Sequence, residues 1–140
     1  MSSFRQQTLI EAPLTEVWRL VGDPRRYPEW AGDVLEVTGV AEVAQGAEFE
    51  QTTKTPAGKL TTPYLVEEFE DLREIRLRCQ TSGYYSHWLL TEAGDDTFCE
   101  VEIGMEPEAL RYRVVDATVG RRWYRNVVTD WVERIRAAAS

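Results

Sequence analysis

The sequence predicts an α+β fold: a seven-stranded antiparallel sheet curved around a long C-terminal helix, with two short helices after the first strand. Three observations predict it. From about residue 34 to 106, apolar residues recur with a period of two. Turn-forming segments interrupt that run so closely that only antiparallel neighbours can be joined. After Pro107 the period becomes helical and stays so almost to the end.

Taken in order, Phe4 to Ala12 reads as the first strand, stopped by Pro13. Val17, Trp18, Leu20 and Val21 then follow at helical spacing, with Thr15 as the expected N-cap. Gly22-Asp23-Pro24 ends this helix, and Pro24 leads into a second helical turn from Arg25 to Trp30. Strands are expected at 34–43, 47–55, 60–70, 74–81, 84–92 and 97–106. Gln45-Gly46, Pro56-Ala57-Gly58, Asp71-Leu72-Arg73, Ser82-Gly83 and Ala93 to Asp96 break them. From Glu108, Leu110, Val114, Ala117, Tyr124, Val128, Trp131, Ile135 and Ala138 form one apolar stripe, interrupted at Arg121. An unbroken helix there would reach roughly 45 Å. It is the only element large enough to cover the apolar face of the sheet. Gly120, beside Arg121, marks close packing or a bend.

Composition narrows the function. The 140 residues, 43% apolar and 29% charged, suit one globular domain over 1–140 with its own core. A net charge of −8 argues against nucleic acid and anionic membranes as partners. No run approaches the ~18 apolar residues of a membrane span. The opening Met1-Ser-Ser-Phe-Arg-Gln-Gln lacks an apolar signal core, so a cytoplasmic setting without membrane insertion is expected. The two cysteines and the single His87 leave no metal-ligand spacing.

Turn lengths suggest which side chains face inward. A two-residue turn at Ser82-Gly83 pairs Cys79 with Ser86 and Leu77 with Trp88. The inner face is then Ile75, Leu77, Cys79, Trp88 and Leu90, joined across the next turn by Cys99, Val101, Ile103 and Met105. Phe49, Gln51 and Thr53 line the third strand. Cys79 and Cys99 fall two strands apart, near ~10 Å, too far for a disulfide, so two free buried thiols are expected. Carried back across Asp71-Leu72-Arg73, the same counting turns Leu65 and Glu67 inward. Glu67 has two readings. It is a carboxylate in an apolar pocket, or a bulge in the curved sheet returns it to water beside Glu68 and Glu70.

Several short stretches carry a resemblance. Ile10-Glu11-Ala12-Pro13, Glu16-Val17-Trp18, Asp23-Pro24 and Tyr27-Pro28-Glu29-Trp30 succeed one another closely, and Gly46 and Gly120-Arg121-Arg122 follow downstream. Together they resemble the START-like (SRPBCC) superfamily, in particular its bacterial polyketide cyclase/dehydrase branch, over essentially the whole chain. The resemblance implies a helix-grip fold with a cavity between sheet and helix, and a site using no metal and no cofactor. It implies that Tyr27 and Trp30 line the mouth of that cavity; their second reading is plain core packing. Aromatic cyclases of the family place a substrate-contacting arginine on the fourth strand. The matching position here is Glu67, with Pro63 and Leu65 at the alternate positions before it.

The leading expectation is a protein that binds or carries a small apolar or aromatic, lipid- or polyketide-like molecule. Phe49, Leu65, Leu77, Cys79, Trp88, Val101, Ile103, Met105 and Tyr124 would form the wall, with Tyr27, Trp30, Gln51, Glu67 and Arg121 supplying polar contacts. Arg121 has a second reading, as a surface side chain passing the sheet edge. One alternative is a cyclase or dehydratase acting through Glu67 or Tyr27 as general acid or base. Another is a co-chaperone-like partner-binding module, which would have a filled interior. Trp123 and Val127 cover more sheet or mark a dimer contact, so monomer and homodimer both stay open.

Overall fold

The computed structural model describes residues 2–55 and 58–139. Most of the expected turn Pro56-Ala57-Gly58 therefore lies outside the described residues. The strands are β1 (Ser2–Ile10), β2 (Val34–Thr38), β3 (Glu48–Thr55), β4 (Gly58–Glu70), β5 (Glu74–Cys79), β6 (Tyr84–Ala93) and β7 (Asp96–Met105). They form one antiparallel sheet in the order β1-β7-β6-β5-β4-β3-β2. Helix α1 (Leu14–Val21), a 3₁₀ turn (Pro24–Arg26) and α2 (Tyr27–Trp30) follow β1, and α3 (Leu110–Ala139) closes the chain. This is the helix-grip architecture that the sequence predicts.

The helix starts differ from expectation in one detail. Pro13, not Thr15, occupies the N-cap of α1, and no side chain caps it. Proline's fixed backbone angle starts the helix without a hydroxyl. In the 3₁₀ turn, the Asp23 carboxylate accepts the Arg25 backbone N–H at 3.0 Å, with Pro24 at the first position.

The inner faces of β5, β6 and β7 are as the sequence implies, though the β5–β6 register is not. Ile75 pairs with Trp88 and Leu77 with Ser86. The turn spans residues 80–83, and Gly83 N–H donates to Cys79 C=O at 3.0 Å. The expected pairs are therefore displaced by two residues, which leaves every side chain on its own face. β7 pairs as expected, with Leu90 opposite Cys99 and Trp88 opposite Val101.

β4 departs more seriously. Tyr64 pairs with Cys79 and Val66 with Leu77, and after a bulge Glu68 pairs with Arg76. The extra residue is Glu67. The bulge exchanges faces, so Tyr64 and Val66 are buried inside (4% and 0% exposed) while Leu65 and Glu67 point to the convex side. There Glu67 Oε1 accepts from Arg76 Nε at 2.6 Å.

α3 is two helices rather than one. Gly120 has φ 68° and ψ −178°, a backbone shape closed to most side chains, and it breaks the expected single stripe. Beyond it, Tyr124, Val128, Trp131, Val132 and Ile135 are buried. Before it, Leu110, Val114 and Ala117 are exposed, as is Ala138 at the far end. The second half packs into an aromatic cluster. Trp131 stacks on Trp88 (6.3 Å between ring centres, 8° between planes) and meets Trp30 edge-on at 5.3 Å.

Candidate functional site

A cavity of about 400 Å³ lies where the first half of α3 stands away from the sheet. β3 contributes Thr53 and Thr55, β4 contributes Leu60, Thr62 and Tyr64, the strands beyond contribute Cys79, Tyr84 and Met105, and the β5–β6 turn contributes Ser82. α3 closes the other side with Tyr112, Val114, Val115 and Thr118 before the break, and Trp123 and Tyr124 after it. Among the described residues the wall carries apolar groups, hydroxyls and one thiol, and no charged side chain.

Three buried tyrosines in this wall hold their protons firmly. Burial raises the Tyr84 hydroxyl well above its ordinary pKa, and nearby Asp33 and Tyr64 push the same way. Tyr64 is raised chiefly by burial, partly offset by its hydrogen bond with Thr53. Tyr124 is raised by burial and by its bond to Asp116, whose Oδ1 accepts the hydroxyl at 2.7 Å. Each is therefore a neutral donor rather than a base. Tyr84 differs from the other two: its buried Oη has no hydrogen-bond partner among the described residues. Such an orphaned group costs free energy unless something in the cavity accepts from it.

The positions of the residues expected at the site divide three ways. Cys79, Met105 and Tyr124 line the cavity. Phe49, Gln51, Leu77, Trp88, Val101 and Ile103 face inward as expected, but they are consumed in the packed core beside it. Phe49 stacks on Tyr64 at 5.5 Å, one layer behind the wall. Gln51 Nε2 donates to Thr53 Oγ1 at 2.9 Å.

The remaining expected contacts lie elsewhere, each for a physical reason. Leu65 and Glu67 are turned outward by the bulge. Tyr27 and Trp30 are not at the mouth: both are buried, and they donate to the backbone carbonyls of Val21 and Leu20 at 2.8 and 2.9 Å. Burial also raises the Tyr27 pKa, so this hydroxyl is a structural donor. Arg121 is exposed and lies over the Phe4 ring at 5.4 Å, away from the cavity wall. The wall residues absent from the expected set are chiefly Tyr64, Tyr84 and the first half of α3. The even-residue periodicity of Thr62, Tyr64 and Val66 is the sequence signal that would have found β4's true inner face.

Both cysteines are free and buried. Cys99 lies in the core, where burial pushes its thiol up to about 12 against the pull of Arg136. Cys79 borders the cavity, with its Sγ 3.3 Å from Thr62 Oγ1. A small neutral maleimide should therefore label Cys79 well before Cys99. An occupied cavity should slow that labelling. Equal rates at the two thiols, read by peptide mass spectrometry, would contradict the geometry.

The sequence model of a family described as polyketide cyclase / dehydrase and lipid transport matches residues 1–140. Comparison with curated proteins gives no match. Among solved structures, a Bacillus halodurans protein studied in solution is 22% identical, covers 100% of both chains and superposes with a TM-score of 0.72. A crystal structure from Thermus thermophilus gives 18% identity, 99% of both chains and 0.71. A START superfamily protein from Mycobacterium smegmatis gives 12% identity, 99% of this chain, 94% of that chain and 0.70. At these identities the likeness speaks for the fold alone.

Proposed function

This chain belongs to the polyketide cyclase/dehydrase and lipid transport family, and on that premise we propose that it binds and carries one small, neutral, apolar or aromatic molecule in the cavity beneath the first half of α3. The observation that carries this reading is a cavity of about 400 Å³ whose described wall bears no charged side chain and includes Tyr84, whose buried hydroxyl has no partner among the described residues. That volume lies within the roughly 300–1,000 Å³ usual for small-molecule pockets. Affinity comes from apolar burial, at about 25 cal/mol per Å² of surface removed from water. Orientation comes from Tyr84 donating to one oxygen of the ligand. Glu67 and Tyr27, which a cyclase reading would use as acid or base, point away from the cavity or into the core. A partner-binding module with a filled interior is disfavoured by the cavity itself.

Native mass spectrometry of the purified protein should reveal a neutral molecule that denaturation releases. Tyr84→Phe separates the two sources of affinity. A neutral naphthyl ketone should bind this variant about 3–10-fold more weakly than wild type, the usual worth of one neutral hydrogen bond. A naphthalene hydrocarbon of similar size should bind it as well or better, because no donor is then left buried and unpaired. Equal losses for both probes would remove Tyr84 from the recognition of ligand.

A further inference from the structure

The net charge of −8 conceals a strong segregation. Residues 51–66 and 109–129 hold seven of the 16 basic side chains and one of the 24 carboxylates, so they carry +6 while the rest of the chain carries −14. The one carboxylate, Asp116, is buried against Tyr124. The seven cations are Lys54, Lys59, Arg111, Arg113, Arg121, Arg122 and Arg125, and all are exposed. They form no ion pair with another described residue. The other nine basic side chains, from Arg5 to Arg136, are each within 4.0 Å of a carboxylate. Among the described residues the unpaired positive charge is thus confined to these two segments, other residues of which line the cavity, and Arg121, Arg122 and Arg125 cluster beside Phe4.

Four of the seven exposed large apolar side chains among the described residues fall in the same two segments, with Leu9, Leu35 and Leu72 elsewhere. Leu60, Val114 and Val115 both line the cavity and stand 43%, 58% and 42% exposed, so they mark its opening. Leu110, one helical turn before Val114, is 74% exposed. Lys54 and Lys59 pair across the hairpin that carries Leu60. Glu108 is the exposed carboxylate flanking this rim.

We propose that this end of the molecule docks, mouth down, on the surface of an anionic phospholipid bilayer. Arginine and lysine meet the lipid phosphates, and the leucine and valine rim enters the headgroup boundary. No described helix is long and apolar enough to cross a membrane, so the contact is peripheral. A nucleic acid would satisfy the cations but offers no hydrocarbon for Leu110, Val114 and Leu60. The anionic surface repels the acidic remainder, which favours one orientation of the bound molecule. An apolar ligand then passes between bilayer and cavity without crossing open water.

The test is flotation of the full chain with vesicles, with no cavity ligand added, so that its outcome is independent of the Tyr84 reading. The protein should float with phosphatidylcholine vesicles containing about 30 mol % phosphatidylglycerol, and not with pure phosphatidylcholine. Rising salt should release it. Arg121→Glu/Arg122→Glu/Arg125→Glu and, separately, Leu110→Asp should each reduce partitioning by about tenfold or more, with unchanged circular dichroism. Should the charge-reversed chain misfold, the triple change to glutamine and the salt titration of the native chain give the same reading. The proposal falls if the native chain ignores anionic vesicles at low salt, if it binds neutral ones equally, or if the variants float like wild type. Tighter binding to duplex DNA than to vesicles at equal salt would overturn it in favour of a nucleic-acid surface.

Discussion

Replacing Trp131 by alanine is expected to destabilise the protein by about 3–5 kcal/mol. The side chain is 2% exposed and touches three other aromatic rings: Trp88 stacked, and Trp30 and Tyr27 edge-on at 5.3 and 6.0 Å. Truncation leaves a hole bounded by stiff rings, which relax poorly, so the cost should approach the upper end of that range. A second loss adds to it. Trp131 Nε1 donates to Asp33 Oδ1 at 2.6 Å, and Asp33 Oδ2 already lacks a partner among the described residues. Burial raises the Asp33 pKa, and the indole bond is the main influence opposing that rise. Without the indole, a half-buried carboxylate is left with poorer compensation. Urea denaturation followed by circular dichroism gives the magnitude; a loss below about 1 kcal/mol would mean the cluster is not the anchor of α3.

Thr62→Trp should abolish ligand binding, by about 100-fold or more, while leaving the fold intact. Thr62 lines the cavity from β4, and no buried group depends on it beyond the weak thiol contact of Cys79. An indole there occupies space that the ligand requires. Filling a void commonly adds about 0.5–2 kcal/mol of stability, so the melting temperature should hold or rise. The two readouts move in opposite directions, which an unfolding artefact cannot imitate. Titration with the naphthyl ketone probe measures the first and calorimetry the second. Retained binding in a stable variant would place the ligand elsewhere.

Much of the fold is legible in the sequence because an even error of counting is harmless and an odd one is not. The β5–β6 pairs are displaced by two residues, and a period of two forgives that: Leu77, Cys79 and Trp88 stay inside. The single extra residue at Glu67 is not forgiven. One bulge moves Leu65 and Glu67 out and Tyr64 and Val66 in, and so rewrites the polar character of the β4 wall. Beyond the alternation of Thr62, Tyr64 and Val66, local sequence gives little warning, since a bulge is decided by how the strand must curve to meet its partners.

The candidate site is less legible for a related reason. Inward-facing residues are expected to border the cavity, yet most of them are spent in the core beneath the second half of α3. Which inner residues touch empty space depends on where the helix leaves the sheet. That point is set by Gly120, where the interrupted stripe signals a bend but not the positive φ that divides the helix. Net charge misleads in the same way. A total of −8 says nothing of where seven cations without an ion pair among the described residues fall along the chain.

The break at Gly120 also separates two kinds of residue within one helix. Side chains after it, such as Trp131 and Ile135, hold the domain together; before it, Asp116 and Tyr112 still tie the helix to the core, while Val114 and Val115 line the cavity and stand largely exposed. Substitutions at Val114 and Val115 are therefore largely decoupled from folding. A lineage carrying this glycine can retune what it recognises, residue by residue, at little risk to the domain that does the recognising.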